Sequence, residues 1–276
     1  MRKALVLILV LGWVSICAAE EGGPAQPGYV DLRFNAPQWF AGNNGNYKGA
    51  RGLVTLEGIT GMYLNPTSGT LAAGKLTTQY CIALLKQAAG PNTGTENQHT
   101  AMATYGVTDW LELGALGRIS DLDNAHQSLA AGGPLGRVRL FRDEGIWPEL
   151  SIGGMLREGN KRLTKRTVFV AGSKKMDLEN DIIHSLRLHA GFRQFWQDSS
   201  VNVGDASIFY LGGEVEFSKN VFFVSEVSSK DDAFKYIPFS AGFQIRSPDG
   251  KAFDVAVVQS GNDDEISMFI GVGMDF

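Results

Sequence analysis

Cysteine is nearly absent from this chain of 276 residues, which contains only Cys17 and Cys81. A framework of disulfides is therefore excluded as the source of stability, and so is a zinc site built from several cysteines. Proline is also scarce, with 9 residues, whereas glycine is abundant, with 34. This balance favours many strands joined by turns over long helices, because glycine weakens helices and is common in turns.

Basic charge is not in excess either, since the formal net charge is -4 at pH 7. We therefore expect no nucleic-acid partner. The chain has four histidines, and their spacing to cysteine and carboxylate residues is not that of metal ligands: His99, His126, His184 and His189. The sequence accordingly predicts no metal site, no cofactor and no catalytic residues.

Long apolar runs are missing except at the N-terminus. There, Arg2 and Lys3 precede the apolar run 4–14, and small residues follow at 17–19. This pattern predicts a secretory signal peptide over residues 1–19. A lipoprotein with lipid on Cys17 is the alternative, although bulky Ile16 stands where a small residue is expected. We expect the exported chain to have no helical membrane anchor, which would need about 18 consecutive apolar residues.

The last stretch, 265–276, alternates large apolar residues with small or polar ones, and Phe269 is its one exception. A period of two predicts a strand with one apolar and one polar face. The stretch resembles the C-terminal signature of Gram-negative outer-membrane β-barrel proteins, in which an amphipathic closing strand ends on an aromatic residue. The resemblance implies an outer-membrane location, contact with lipid and with the assembly machinery, and a role in barrel closure and assembly for Met274 and Phe276.

Strand-like segments alternate with turn signals along the rest of the chain, which predicts an all-β fold. Residues 71–276 are predicted to form an antiparallel transmembrane β-barrel of about 12 strands, an even number that places both termini on one side. A soluble sandwich of two sheets would show the same alternation and stays open as an alternative. The predicted strands are 71–85, 96–107, 109–121, 134–142, 146–158, 166–174, 183–196, 205–217, 220–230, 235–247, 250–260 and 265–276.

The connections support the barrel. Those after the second, fourth, eighth and tenth predicted strands are tight, and most of the others are longer, as in outer-membrane barrels. Three features disagree with the barrel prediction: residues 175–182 form a long connection after the sixth strand, and the loops after the ninth and eleventh strands are short. Pro238 lies inside the tenth strand, and proline lacks the N–H donor that a closed sheet requires outside bulges. Aromatic residues that belong to the predicted short-turn rim are Trp110, Trp147, Phe217, Phe222 and Phe276.

Residues 20–70 are rich in glycine, proline, asparagine and glutamine over their first half. We predict an extended N-terminal leader or, as the sharper alternative, a plug inside the barrel lumen. Asn65-Pro66-Thr67 and Gly69-Thr70-Leu71 resemble the entry segment of hydrophobic-compound transporters and of an exopolysaccharide-associated group of barrels.

Inward-facing charge is the remaining candidate site. Strands three to seven supply a basic wall and strands eight to eleven an acidic wall, which together would create a transverse field in a narrow channel. The function favoured is a passive channel or transporter for small polar or amphiphilic solutes. The alternatives are a barrel sealed by ion pairs, with a structural, adhesion or polysaccharide-export role, and an outer-membrane hydrolase. The candidate lumen residues are Arg118, Arg137, Arg139, Arg157, Arg187, Arg193, Glu214, Glu216, Glu226 and Asp254.

Overall fold

Twelve antiparallel strands close into a barrel, so the predicted fold class is confirmed. The computed structural model describes residues 55, 61–87, 94–122, 127–159, 163–178, 183–197, 205–218, 220–232, 234–261 and 266–276. The strands are β1 (Leu76–Gln87), β2 (Gly94–Gly106), β3 (Leu111–Leu122), β4 (Gln127–Phe141), β5 (Glu149–Gly159), β6 (Lys165–Asp177), β7 (Ser185–Gln197), β8 (Ala206–Ser218), β9 (Val221–Ser228), β10 (Phe239–Arg246), β11 (Lys251–Gln259) and β12 (Ser267–Asp275). In the described residues, no helix has the length and apolar character needed to cross a membrane.

The barrel closes where β12 pairs with β1, in a register that runs from Thr77 opposite Asp275 to Leu84 opposite Met268. The terminal residue extends this seam, because Phe276 donates its N–H to the carbonyl oxygen of Leu76 at 2.8 Å and accepts a bond in return at 3.3 Å. Every other strand pairs with its neighbours in sequence. Closure therefore leaves no strand edge to be satisfied by lipid, which offers no hydrogen bonds.

Several predicted boundaries were wrong, each for a local reason. β4 begins at Gln127 and not at 134, because Gly132 and its neighbours pair with β3 instead of forming a loop. β10 begins at Phe239, so Pro238 precedes the strand and the predicted conflict disappears. The connection between β9 and β10 is consequently long, as expected at the long-loop rim, whereas the one after β6 remains long at the opposite rim.

The two faces of the sheet differ as the alternation predicted. Charged and polar side chains point into the barrel, and large apolar side chains cover its outside. Such an apolar surface requires hydrocarbon around it, so the barrel spans a membrane and the soluble sandwich is excluded. Outward residues that are more than a third exposed include Leu84, Leu113, Ile119, Ile152, Val168, Phe209, Phe243, Val255, Ile270 and Val272.

Two of the aromatic residues that the sequence analysis singled out face the lumen and not the lipid. Phe269, the exception in the last strand, is fully buried and packs edge-to-face on Tyr63 with ring centroids 5.6 Å apart. Phe222, predicted for the outer rim, lies beneath Arg246, whose guanidinium carbon is 4.3 Å from the ring centroid. The prediction for Phe222 was therefore wrong, because its position on β9 has inward parity with Val224 and Glu226.

Residues 61–71, which we call the luminal segment, lie inside the barrel and lead into β1. They belong to the stretch predicted as a leader or plug. Residues 1–54 and 56–60, including the predicted signal peptide and most of that stretch, lie outside the described residues. Met62, Tyr63 and Leu64 share one apolar cluster with inward residues of the barrel, among them Cys81 and Phe269.

A charge on the outer face should report the depth of the membrane. Ile270→Arg places a guanidinium near the middle of β12, and we expect the free energy of unfolding to fall by about 2–4 kcal/mol in lipid vesicles. Ile266→Arg, just before β12 at the long-loop rim, is the matched control and should cost about 0–1 kcal/mol. Urea unfolding measures both, and equal losses would show that this face does not meet hydrocarbon.

Candidate functional site: the barrel lumen

The luminal segment begins with a tight turn. The N–H of Met62 donates to the carbonyl oxygen of Asn65 at 3.0 Å, and Gly61 bridges to Pro66. Only glycine fits at position 61, because a Cβ atom there would lie 2.2 Å from the carbonyl oxygen of Asn65.

One carboxylate, that of Glu226 on β9, holds this turn. It accepts the consecutive backbone N–H groups of Tyr63 at 2.8 Å, Leu64 at 2.5 Å and Asn65 at 3.0 Å. The side-chain amide of Asn65 adds a fourth bond at 2.8 Å, and the hydroxyl of Ser240 a fifth at 2.6 Å. Successive backbone N–H groups form a concave anion site, and here the anion belongs to the barrel wall.

The rest of the luminal segment crosses the lumen toward the opposite wall. Its carbonyl oxygens accept bonds from Arg193 (to Leu64, 2.9 Å), Tyr210 (to Pro66, 2.8 Å) and Arg137 (to Thr67, 2.6 Å). Its N–H groups donate to Ser173 (from Ser68, 3.3 Å) and Glu112 (from Leu71, 2.8 Å). The segment therefore spans contacts from β9 to β3, and a buried backbone that lacked such partners would be costly.

Ion pairs line the same half of the lumen, near the short-turn rim. Arg137 lies 2.9 Å from Glu112, and Arg139 lies 3.3 Å from Glu149. Arg246 lies 2.9 Å from Glu214. Each pair joins residues of one sector of the wall, not of opposite sectors. The basic and acidic walls predicted from the sequence are thus mixed, because Glu112 and Glu149 stand among the arginines and Arg246 among the carboxylates.

The predicted lumen residues all point inward. Glu216 is partly exposed and accepts a bond from Ser185 at 2.7 Å. The other nine are buried: Arg118, Arg137, Arg139, Arg157, Arg187, Arg193, Glu214, Glu226 and Asp254. Met274 and Phe276 lie on the outer face beside the seam, where Phe276 takes part in closure; an assembly role for them stays a prediction.

Three of these residues, on β3, β11 and β5, make other contacts in the lumen. Arg118 donates from Nε to Thr100 at 3.1 Å, and its Nη2 atom has no hydrogen-bond partner among the described residues. Asp254 is fully buried and lies over Gly271. Arg157, toward the long-loop rim, donates to the carbonyl oxygen of Leu163 at 2.6 Å.

The candidate list drawn from the sequence leaves out five charged or titratable lumen residues: Glu112, Glu149, His189, Lys165 and Arg246. Alternation along the strands offered a signal for the first three. Each is an even number of residues from a predicted inward arginine on the same strand: Glu112 from Arg118, Glu149 from Arg157, and His189 from Arg187. The luminal segment had only a weak signal, since its wall partners, such as Glu226, lie far away in the chain.

A serine, a histidine and a carboxylate meet inside the lumen in the order of a nucleophile, a base and an acid. Ser173 Oγ lies 2.8 Å from His189 Nδ1, and His189 Nε2 lies 3.3 Å from Glu214 Oε1. All three are buried, and Ser173 Oγ accepts the N–H of Ser68. The luminal segment therefore covers the hydroxyl, and of the three residues Ser173 contacts that segment directly. The described residues contain no group of three or more potential metal ligands.

Replacing the Asn65 amide by an acid should release the luminal segment. Asn65→Asp puts a carboxylate beside Glu226, and like charges about 4 Å apart repel by about 4 kcal/mol at an effective dielectric constant of about 20. Cys81 is buried in the cluster that contains Met62 and Tyr63. A membrane-impermeant thiol reagent should therefore label Cys81 slowly in the parent protein and much faster in Asn65→Asp, as measured by peptide mass spectrometry.

The matched control combines Asn65→Asp with Glu226→Gln. An amide at position 226 can donate to the new carboxylate, so labelling of Cys81 should fall back toward the parent rate. Fast labelling of the parent protein, or equal labelling of the single and double variants, would show that this contact does not hold the segment in place.

Neither a scan against protein-family models nor a search of curated proteins gave a match for the sequence. Solved structures are similar in fold. The KdgM porin, alone and in complex with disordered oligogalacturonate, has a TM-score of 0.53 at 10% identity, covering 72% of this chain and 99% of the porin. An outer-membrane channel from Pseudomonas putida F1 has a TM-score of 0.52 at 10% identity, covering 76% of this chain and 98% of the channel. This chain therefore has the fold of outer-membrane β-barrel proteins, as its C-terminal strand predicted.

Proposed function

We propose that this protein is a passive channel for small polar solutes in a Gram-negative outer membrane, narrowed by its luminal segment. The observation that carries the proposal is a closed barrel with an apolar outside and a charged, polar inside. A polar interior of this kind can replace part of the hydration of a permeating solute. With twelve strands, the barrel lies between filled eight-stranded barrels and open sixteen-stranded porins.

The outer-membrane location is supported by two features. The predicted signal peptide at residues 1–19 directs export. Short connections lie on one rim, for example residues 247–250, and longer ones on the other, for example residues 229–238. This asymmetry is that of outer-membrane barrels, in which the short turns face the periplasm. The C-terminal end of the luminal segment then lies on the periplasmic side, beside residues 107–110, since Thr70 Oγ1 donates to the carbonyl oxygen of Asp109 at 3.0 Å.

The charge of the lumen supports passage of anions over cations. Among the described residues, seven buried cations face five buried carboxylates. The cations are Arg118, Arg137, Arg139, Lys165, Arg157, Arg187 and Arg193, and the carboxylates are Glu112, Glu149, Glu214, Glu226 and Asp254. A net positive lining lowers the energy of an anion inside a low-dielectric wall more than it lowers that of a neutral solute.

A sealed barrel with a structural, adhesion or polysaccharide-export role is the second candidate. The contacts of the luminal segment and the buried ion pairs favour it, because paired charges and a filled lumen leave little room for a solute. A hydrolase has less support. The porins and channels that share the fold are not enzymes, and the one serine, histidine and acid cluster described above faces the lumen beneath Ser68.

Conductance and ion selectivity should separate these functions. In planar bilayers with a KCl gradient, a channel gives single-channel steps and a sealed barrel gives none. Neutralising Arg187 and Arg193 with Arg187→Gln and Arg193→Gln should shift the reversal potential toward cation selectivity. A unit charge about 4 Å from an ion changes its energy by about 1 kcal/mol in water, so the permeability ratio should change by about fivefold for each arginine replaced.

The control for this measurement is Arg166→Gln, which removes an arginine from the outer face, where its side chain is 62% exposed. It should leave the reversal potential unchanged. If the parent protein does not conduct, or if the double variant has the ion selectivity of the parent, the two arginines do not line a solute path.

A further inference from the structure

The wall of the lumen holds the luminal segment chiefly by its main chain. Five backbone N–H groups, those of Tyr63, Leu64, Asn65, Ser68 and Leu71, donate to wall side chains. Three backbone carbonyl oxygens, those of Leu64, Pro66 and Thr67, accept from wall side chains. The wall therefore pairs with both donors and acceptors of an extended or turning peptide.

Side chains of the segment contribute fewer polar contacts. Asn65 Nδ2 donates to Glu226 and to Ser228, and Ser68 Oγ donates to Glu149 at 3.0 Å. Tyr63 adds the edge-to-face contact with Phe269. A peptide of another amino-acid sequence in the same conformation could thus form most of the same hydrogen bonds with the wall.

We propose that the inward face of β4, β7, β8 and β9 is a binding site for a peptide main chain, occupied in the resting protein by residues 62–68. Glu226 accepts hydrogen bonds from the N–H groups of the bound chain. Arg137, Arg193 and Tyr210 donate hydrogen bonds to its carbonyl oxygens. When the luminal segment withdraws, the site accepts short peptides from solution. The claim that short peptides are the solutes of the channel rests on the function proposed above. The claim that the lumen binds a peptide main chain does not.

The chemistry of the wall distinguishes peptides from other small polar solutes. A carboxylate that accepts three consecutive N–H groups needs a ligand with donors at successive residues, which a peptide provides. Guanidinium and phenol donors placed at three carbonyl oxygens over residues 64–67 complete the match. Hydrogen bonds to charged partners are stronger than neutral ones. The site should therefore bind most tightly a ligand that donates to the carboxylate and accepts from the guanidinium groups.

The parent protein should resist external peptides, because a tethered segment has a high effective concentration at its own site. Asn65→Asp removes this competition without changing the wall. The test therefore uses the full-length Asn65→Asp protein in detergent, with isothermal titration calorimetry as the readout. Three synthetic heptapeptides serve as probes: the sequence of residues 62–68, the same composition in shuffled order with proline kept in place, and the first peptide N-methylated at the three nitrogens that Glu226 contacts.

The first two peptides should bind Asn65→Asp with affinities within about threefold of each other, because the wall forms its hydrogen bonds mainly with the main chain of the ligand. The N-methylated peptide should bind at least about tenfold more weakly, since it cannot donate to Glu226. Adding Tyr210→Phe, which removes only the hydroxyl that donates to Pro66, should weaken the first two peptides severalfold. The parent protein should bind all three more weakly than Asn65→Asp does.

Labelling of Cys81 reports whether the site has been vacated. If Cys81 becomes reactive in Asn65→Asp and neither unmodified peptide binds, the proposal is overturned. If Cys81 stays protected both in Asn65→Asp and in Asn65→Asp combined with Ser68→Asp, the segment is a permanent filling, which also overturns it. Peptide binding without single-channel conductance would retain the site and reject the channel, so the two failures are distinguishable.

Discussion

The need to pair every backbone N–H and C=O group inside a membrane governs this fold. Hydrocarbon offers no partner to these groups, so a sheet can cross it only as a closed ring. Here the ring is completed by β1 and β12, and the main chain of Phe276 continues the ladder past the last strand residue to Leu76. The outward apolar residues follow from closure, because alternate side chains must then face lipid and lumen.

The same constraint operates a second time inside the barrel. The luminal segment has no neighbouring strand, so its backbone groups are paired by side chains of the wall. Glu226, Arg137 and Arg193 are buried charges that would be costly alone and that become acceptable through these bonds. Gly212 on β8 provides room for the segment, since a Cβ atom there would lie 2.2 Å from Met62 Sδ. Wall and segment are therefore complementary in both charge and shape.

Local periodicity was enough to predict the strands and the facing of their charged residues, whereas the C-terminal resemblance, the signal peptide and the connections favoured the barrel over a sandwich. Arg187 and Arg193, for example, follow from alternation within one strand, and the number of strands follows from the turns. Register and long-range contacts were not accessible in the same way. Glu226 and Asn65 are 161 residues apart, and the pairing of Arg137 with Glu112 depends on how β3 and β4 align. Phe269 faces inward because it packs on Tyr63, and this contact cannot be predicted from the sequence of the last strand alone.

The contact between Glu226 and the turn at residues 63–65 also has a kinetic consequence. The segment precedes the first strand, whereas its main anchor is on the ninth, so the two meet only after most of the chain has been made. Contacts between residues this distant in sequence slow folding, because a large loop must close before they form. Since the segment runs directly into β1, it can be enclosed as the sheet curls around it, and its capture and the closing of the ring then belong to one late cooperative step of assembly.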